Sequence, residues 1–137
     1  MARRGKYDPE SLPNDYCAIS IETAGYDFET GQIAEVAAVR VRDRHDVARF
    51  RSFVAIDGGV PEDLTKNAGL CAAHFTKAPS REQVIAELLD FVGDDTLVSV
   101  KPGRFVQPFL ERDALRYLGA VIPNRWMDLL LYARHEG

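Results

Sequence analysis

The stretch 32–42, Gln-Ile-Ala-Glu-Val-Ala-Ala-Val-Arg-Val-Arg, restricts the fold more than any other part of the chain, because it follows a short apolar run at 16–21. Ile33, Glu35, Ala37, Val39 and Val41 alternate with Ala34, Val36, Ala38, Arg40 and Arg42. That period of two predicts a strand buried on both faces in its first half and on one face in its second. The run at 16–21 suits a central strand, and the segment between Gly25 and Gly31 reads as a turn. A tight polar connection at 43–46 leads to a third strand over about 47–54.

Helical signals occupy the second half. Ser80, with Gln83 at capping-box spacing, opens a helix whose apolar face carries Val84, Ile85, Leu88, Leu89 and Val92 and whose stop is Gly93. A short helix is expected near 62–67, ending at Gly69, and a buried strand at 96–100. A further helix is expected over 108–118, with Pro108 in its first turn where the missing N–H is no loss. Asp128 is expected to cap a last short helix. His74 is placed in a loop with a local hydrogen-bonding role, Asp94 and Asp95 in a solvated turn, and Trp126 in the core. Together these elements predict an α/β fold, a mixed sheet flanked by helices. A chain of 137 residues, 46% hydrophobic, can bury one core. The expected organisation is a polar arm at 1–14, containing Pro9 and Pro13, and one domain at 15–137.

The segment from Asp15 through Ser20-Ile21-Glu22-Thr23 to Gly25, followed by Ile33-Ala34-Glu35-Val36-Ala37-Ala38-Val39, resembles the opening of the DEDDh 3′–5′ exonucleases. The family includes the proofreading epsilon subunit of DNA polymerase III and the exonuclease domain of Gram-positive replicative polymerases. The likeness continues through Leu64 to Leu70, Ala78-Pro79-Ser80, Phe91 to Asp95, Phe109-Leu110, Arg116 to Gly119 and Met127 to Arg134, so it covers nearly everything after residue 14. It implies a ribonuclease H-like fold, here lacking the family's final helices.

In that family two metal ions roughly 4 Å apart activate water and neutralise the leaving oxygen of a phosphodiester. Two divalent ions that close repel by about 16 kcal/mol at an effective dielectric of ~20, so clustered carboxylates must offset them. The resemblance implies acids at positions 20 and 22, side by side on one strand face. The chain has Ser20, a neutral hydroxyl, and Glu22. The third acid of the family ends a stretch that begins His-Asn and closes Phe-Asp. Allowing one inserted residue, Phe105 matches and Val106 takes the place of the aspartate, while the same stretch gains Lys101 and Arg104. The family's last pair, a histidine with an aspartate five residues later, falls beyond the segment matching Asp128; His135 is followed only by Glu136 and Gly137.

These substitutions lead to the expectation of a catalytically degenerate exonuclease-like domain that works by binding a nucleic-acid end, a nucleotide or a protein partner. Thr23, Tyr26, Lys101, Arg104 and Phe105 form the expected substrate-binding set: Tyr26 to stack on a base, Lys101 and Arg104 to hold a phosphate. Glu22 is at most a weak ligand for one Mg²⁺, so no cofactor is expected unless residual activity brings in Mg²⁺ or Mn²⁺. The alternative is an active metal-dependent 3′–5′ exonuclease completed by another chain or by acids such as Asp15 or Asp27. A third possibility is an assembly module with no ligand in the cleft. Absence of the family's last helices would expose apolar surface, inviting a homodimer or protein partner on the C-terminal side.

Net charge is −4, so contact with phosphate must come from a local patch. Cys17 and Cys71 form no metal-binding pair and are expected as buried thiols in a reducing compartment. The basic start is not followed by an apolar core of a signal peptide and no stretch suits a membrane span, which makes the cytoplasm the expected location.

Overall fold

The computed structural model describes residues 13–99 and 103–128, the side chains of Arg104 and Asp128 excepted. A mixed sheet of five strands runs in the order β3-β2-β1-β4-β5, with β1 Tyr16–Ala24, β2 Gln32–Arg42, β3 His45–Phe53, β4 Leu97–Ser99 and β5 Trp126–Asp128. β1, β2 and β3 form an antiparallel meander; β4 pairs parallel with β1, and β5 parallel with β4. Four helices accompany them among the described residues: α1 Glu62–Ala68, α2 Ala72–Phe75, α3 Arg81–Val92 and α4 Gly103–Leu118.

Alternation along β1 divides its side chains cleanly. Cys17, Ile19, Ile21 and Thr23 are buried, whereas Tyr16, Ala18, Ser20 and Glu22 are half-buried on the opposite face. The buried set meets Val84, Ile85, Leu88 and Val92 of α3 and Val106, Phe109, Leu110 and Ala114 of α4. Each such aliphatic or aromatic side chain contributes about 1.5–3 kcal/mol on burial, so this helix-covered face is the main source of stability. A second, smaller cluster at the end of β1 joins Ala34, Leu64 and Leu70, with Phe53 and Phe75 against it.

Local rules explain most boundaries. Asp43 and Arg44, at φ 50° and 67°, make the two-residue left-handed turn that matches strand twist, so β3 starts at His45, earlier than the sequence predicts. Ser80 caps α3 by accepting from the Gln83 N–H at 3.2 Å; the Gln83 side chain turns outward to Glu87, so only half the capping box forms. Gly69, at φ 71°, closes α1.

Several expectations are corrected. α4 begins at Gly103 and carries Pro108 in its interior, because burying Val106 together with Phe109 and Leu110 outweighs the lost backbone bond. Asp128 lies in β5, opposite Ser99 of β4, and the short helix expected after it falls outside the described residues. His74 belongs to the short helix α2, and its Nδ1 accepts the Cys71 N–H at 3.0 Å. Cys71 is exposed, unlike Cys17, because α2 lies outside both apolar clusters except for Phe75. Asp95 is not solvated but is held by both carboxylate oxygens to Arg42 at 3.0 Å, and its Oδ2 accepts from the Cys17 thiol at 3.2 Å. Trp126 is half-buried against the core, with its Nε1 buried and unpartnered. Most of the polar arm, Lys101 and everything after residue 128 lie outside the described residues, as do the expectations placed on them.

Candidate functional site

The site is built where β1 ends. Ser20 and Glu22 share one sheet face, and antiparallel pairing sets Ala37 beside Ser20 and Glu35 beside Glu22. Cross-strand partners point the same way, so a second carboxylate stands next to Glu22. Glu35 is nearly buried, and the Arg51 Nε–H donates to its Oε2. A register shift between Glu22 and Thr23 bends the strand at this point. Past it, Thr23 is 6% exposed and its Oγ1 has no hydrogen-bond partner.

Above the strand end, Tyr26 is exposed and its ring centroid stands 6.3 Å from that of Phe105, which in turn is 5.4 Å from Phe109. Asn67 Nδ2 donates to the Tyr26 hydroxyl at 3.3 Å. The structure therefore brings Thr23, Tyr26 and Phe105 to one end of the sheet. Arg104 lies in the first turn of α4, with its side chain outside the described residues together with Lys101. Val106 is wholly buried in the core beneath Phe105.

The turn that carries Tyr26 is clamped from below. Asp113, fully buried, accepts from Arg112 Nε at 2.9 Å and from Arg81 Nη1 at 3.4 Å. Arg112 reaches on to the carbonyls of Phe28 and Gly31, the latter at 2.7 Å, and Arg81 to those of Ile33 at 2.9 Å and Ala55 at 3.2 Å. One buried carboxylate thus orients two guanidinium groups, Arg112 satisfying carbonyls of the turn and Arg81 those of Ile33 and Ala55 beside it. Sequence reasoning missed this triad and the place of Glu35. The signals were there: Asp113 interrupts the apolar face of 106, 109, 110 and 114 at helical spacing, and Glu35 occupies a buried slot of a strand, where an acid needs a partner.

Among the described residues no three histidine, cysteine, aspartate or glutamate side chains come together to hold a metal. Asp15 accepts the Asp43 N–H at the far hairpin and Asp27 accepts the Glu29 N–H within its own turn. Glu22 and an arginine-bound Glu35 fit a pair of divalent ions poorly, since one of the two negative charges is already offset.

The model of the exonuclease family described as RNase_T matches residues 18–136. Over 126 residues the chain is 30% identical to the DNA polymerase III subunit epsilon of Aquifex aeolicus, covering 90% of this chain and 60% of that protein. It is 27% identical to the PolC-type DNA polymerase III of Clostridium perfringens, over 92% of this chain and 9% of the polymerase. It therefore spans less than two thirds of either relative. The fold is similar to that of E. coli Exonuclease I in complex with a dT13 oligonucleotide, with a TM-score of 0.73 at 14% identity over 86% of this chain and 28% of the other. A product-bound exonuclease I gives a TM-score of 0.75 at 15% identity, over 90% and 31% of the two chains.

Proposed function

Because this chain belongs to the exonuclease family, we propose that it keeps the family's hold on a single-stranded 3′ end while having lost hydrolysis. The observation that carries the reading is the packing of Val106. At the position where the resemblance expects a metal-binding aspartate, the side chain is wholly buried among Phe109, Leu110 and the β1 aliphatics. Core shape, as well as residue identity, has moved away from metal binding there. Ser20 removes a second charge from the pair on β1. With those two carboxylates gone, Glu22 and Glu35 lack the charge to offset two divalent ions.

Binding groups remain. Tyr26 and Phe105 present adjacent ring surfaces at the strand end, suited to stacking on terminal bases at about 1–3 kcal/mol per base. Thr23 lies at the same strand end with its Oγ1 buried, so it supports the site from within and offers no exposed contact. Relatives of the same fold have been seen with oligonucleotide, which supports single-stranded nucleic acid as ligand class. Mg²⁺ or Mn²⁺ would be held by Glu22 and would supply Lewis-acid activation of water.

Purified chain incubated with 3′-labelled single-stranded DNA and RNA in Mg²⁺ or Mn²⁺ is expected to bind without shortening either strand. Metal-dependent loss of 3′ nucleotides, abolished by Glu22→Gln, would sink the proposal and establish the second reading, an active exonuclease. That second reading draws on one observation, the placement of Glu35 directly across from Glu22.

A further inference from the structure

On the sheet face that carries Ser20 and Glu22, the cross-strand rows continue outward: Ser20, Ala37, Arg51 in one, and Glu22, Glu35, Phe53 in the next. Two strand spacings, roughly 10 Å, separate β1 from β3 along these rows. At their outer end a cleft of about 480 Å³ opens between β3 and the segment 73–79, lined by Arg51, Phe53, His74, Thr76 and Lys77 among others. Its lining holds Lys77, the guanidinium of Arg51 whose charge is partly offset by Glu35, a histidine and hydroxyl groups, and no carboxylate. In a chain with 21 acidic and 17 basic residues that composition is a local reversal of charge.

The cations are held at the cleft. Arg51 stacks with its guanidinium carbon 5.4 Å from the Phe53 ring centroid while Nε is bound to Glu35, so its two terminal nitrogens project beyond the pair. Phe53 in turn packs at 5.2 Å against the His74 ring. His74 Nδ1 accepts the Cys71 N–H, which leaves Nε2 as the protonated nitrogen and therefore a donor. Lys77 is exposed and, among the described residues, has no carboxylate partner.

We propose that this cleft is a phosphate site taking the backbone of a single-stranded polynucleotide whose 3′ end lies at Tyr26 and Phe105. The inference rests on the strand-end reading above and extends it: the strand would run from β1 across β2 to β3 along one sheet face. Donors spread over three side chains suit a phosphate diester, whose oxygens accept from several directions.

The test measures fluorescence anisotropy of labelled dT3 and dT12 with the full chain, its Lys77→Glu, His74→Gln and Tyr26→Ala variants, and inorganic phosphate as competitor. Lys77 and His74 are exposed, and thermal melts confirm folding of each variant. Expected is about a tenfold weaker dT12 complex with Lys77→Glu and a smaller loss with His74→Gln, while dT3 is unchanged by either and both oligonucleotides are weakened by Tyr26→Ala. If dT12 ignores Lys77→Glu but still responds to Tyr26→Ala, the cleft proposal falls and the strand-end reading survives. A response to Lys77→Glu alone keeps the cleft and removes the strand-end reading. Failure of both oligonucleotides to bind, or displacement of phosphate from the cleft with no difference between dT3 and dT12, overturns the proposal.

Discussion

Two cysteines in one small fold show how strongly placement governs a side chain. Cys17 lies at zero exposure in the middle of the sheet and donates to Asp95, while Cys71 is open to solvent. Burial, reinforced by the hydrogen bond to Asp95 and its charge, pushes the Cys17 thiol up to about 12 from 9.0. The unfolded chain ionises this thiol first, so the stabilisation is complete below about pH 9 and is lost progressively as pH rises towards 12. Thermal melts between pH 8 and about 11 should therefore fall more steeply for the wild type than for Cys17→Ala, which removes the linkage although it lowers stability at neutral pH. Native thiol titration should count one fast-reacting group, Cys71, and a second only on unfolding. At the same scale, Val106→Asp tests whether the position faces the core. A carboxylate introduced there has no partner, and urea unfolding should show a loss of about 3–5 kcal/mol or no folded protein. A stable Val106→Asp that binds Mn²⁺ would place residue 106 in the cleft instead.

Among the elements, the turn between β1 and β2 depends on close backbone approach. A Cβ on Gly31 would stand 2.8 Å from the Gly25 carbonyl oxygen and 2.9 Å from that of Asp27. Gly31→Ala should therefore open the turn, disturb the Arg112 contacts and displace Tyr26, weakening oligonucleotide binding as well as lowering the urea midpoint. An unchanged affinity would mean that Tyr26 is not a contact. α4 offers the opposite experiment. Pro108 leaves the Arg104 carbonyl without its helical N–H partner, so Pro108→Ala should stabilise the protein by up to about 3 kcal/mol, read from chemical unfolding. The contrast between these elements shows what a sequence displays. β1, β2 and α3 were legible because their signals are local: a period of two, a serine cap, a terminal glycine. α4 through Pro108 was not, because tertiary burial of Val106, Phe109 and Leu110 overrides a local breaker. β5 has three residues and exists only through its ladder with β4, which no window of sequence contains. Ser20, Glu22 and Val106 could be singled out by resemblance alone. The neighbourhood of Glu22 and Glu35, and the Arg112–Asp113–Arg81 clamp, follow from register and packing, which become visible only once strands and helices meet.

For the whole molecule the governing quantity is charge. A net −4 repels a polyanion at long range, so any complex with single-stranded nucleic acid must be held by a few groups on one face. Arg51 and Lys77 lie at one end of that face and Tyr26 with Phe105 at the strand end, where the proposed binding would be by rings and largely indifferent to salt. Each phosphate neutralised on a single strand contributes about −0.7 to the slope of log K against log salt. Two or three contacted phosphates therefore give a slope of about −1.4 to −2.1 for dT12. For dT3, confined to the ring pair, the slope should be shallower by at least one such contact, and Lys77→Glu should bring the two slopes together. A dT12 slope near zero would assign binding to stacking alone. One much steeper than this range would demand more cationic contacts than Arg51 and Lys77 supply, and would overturn the proposed path of the polynucleotide.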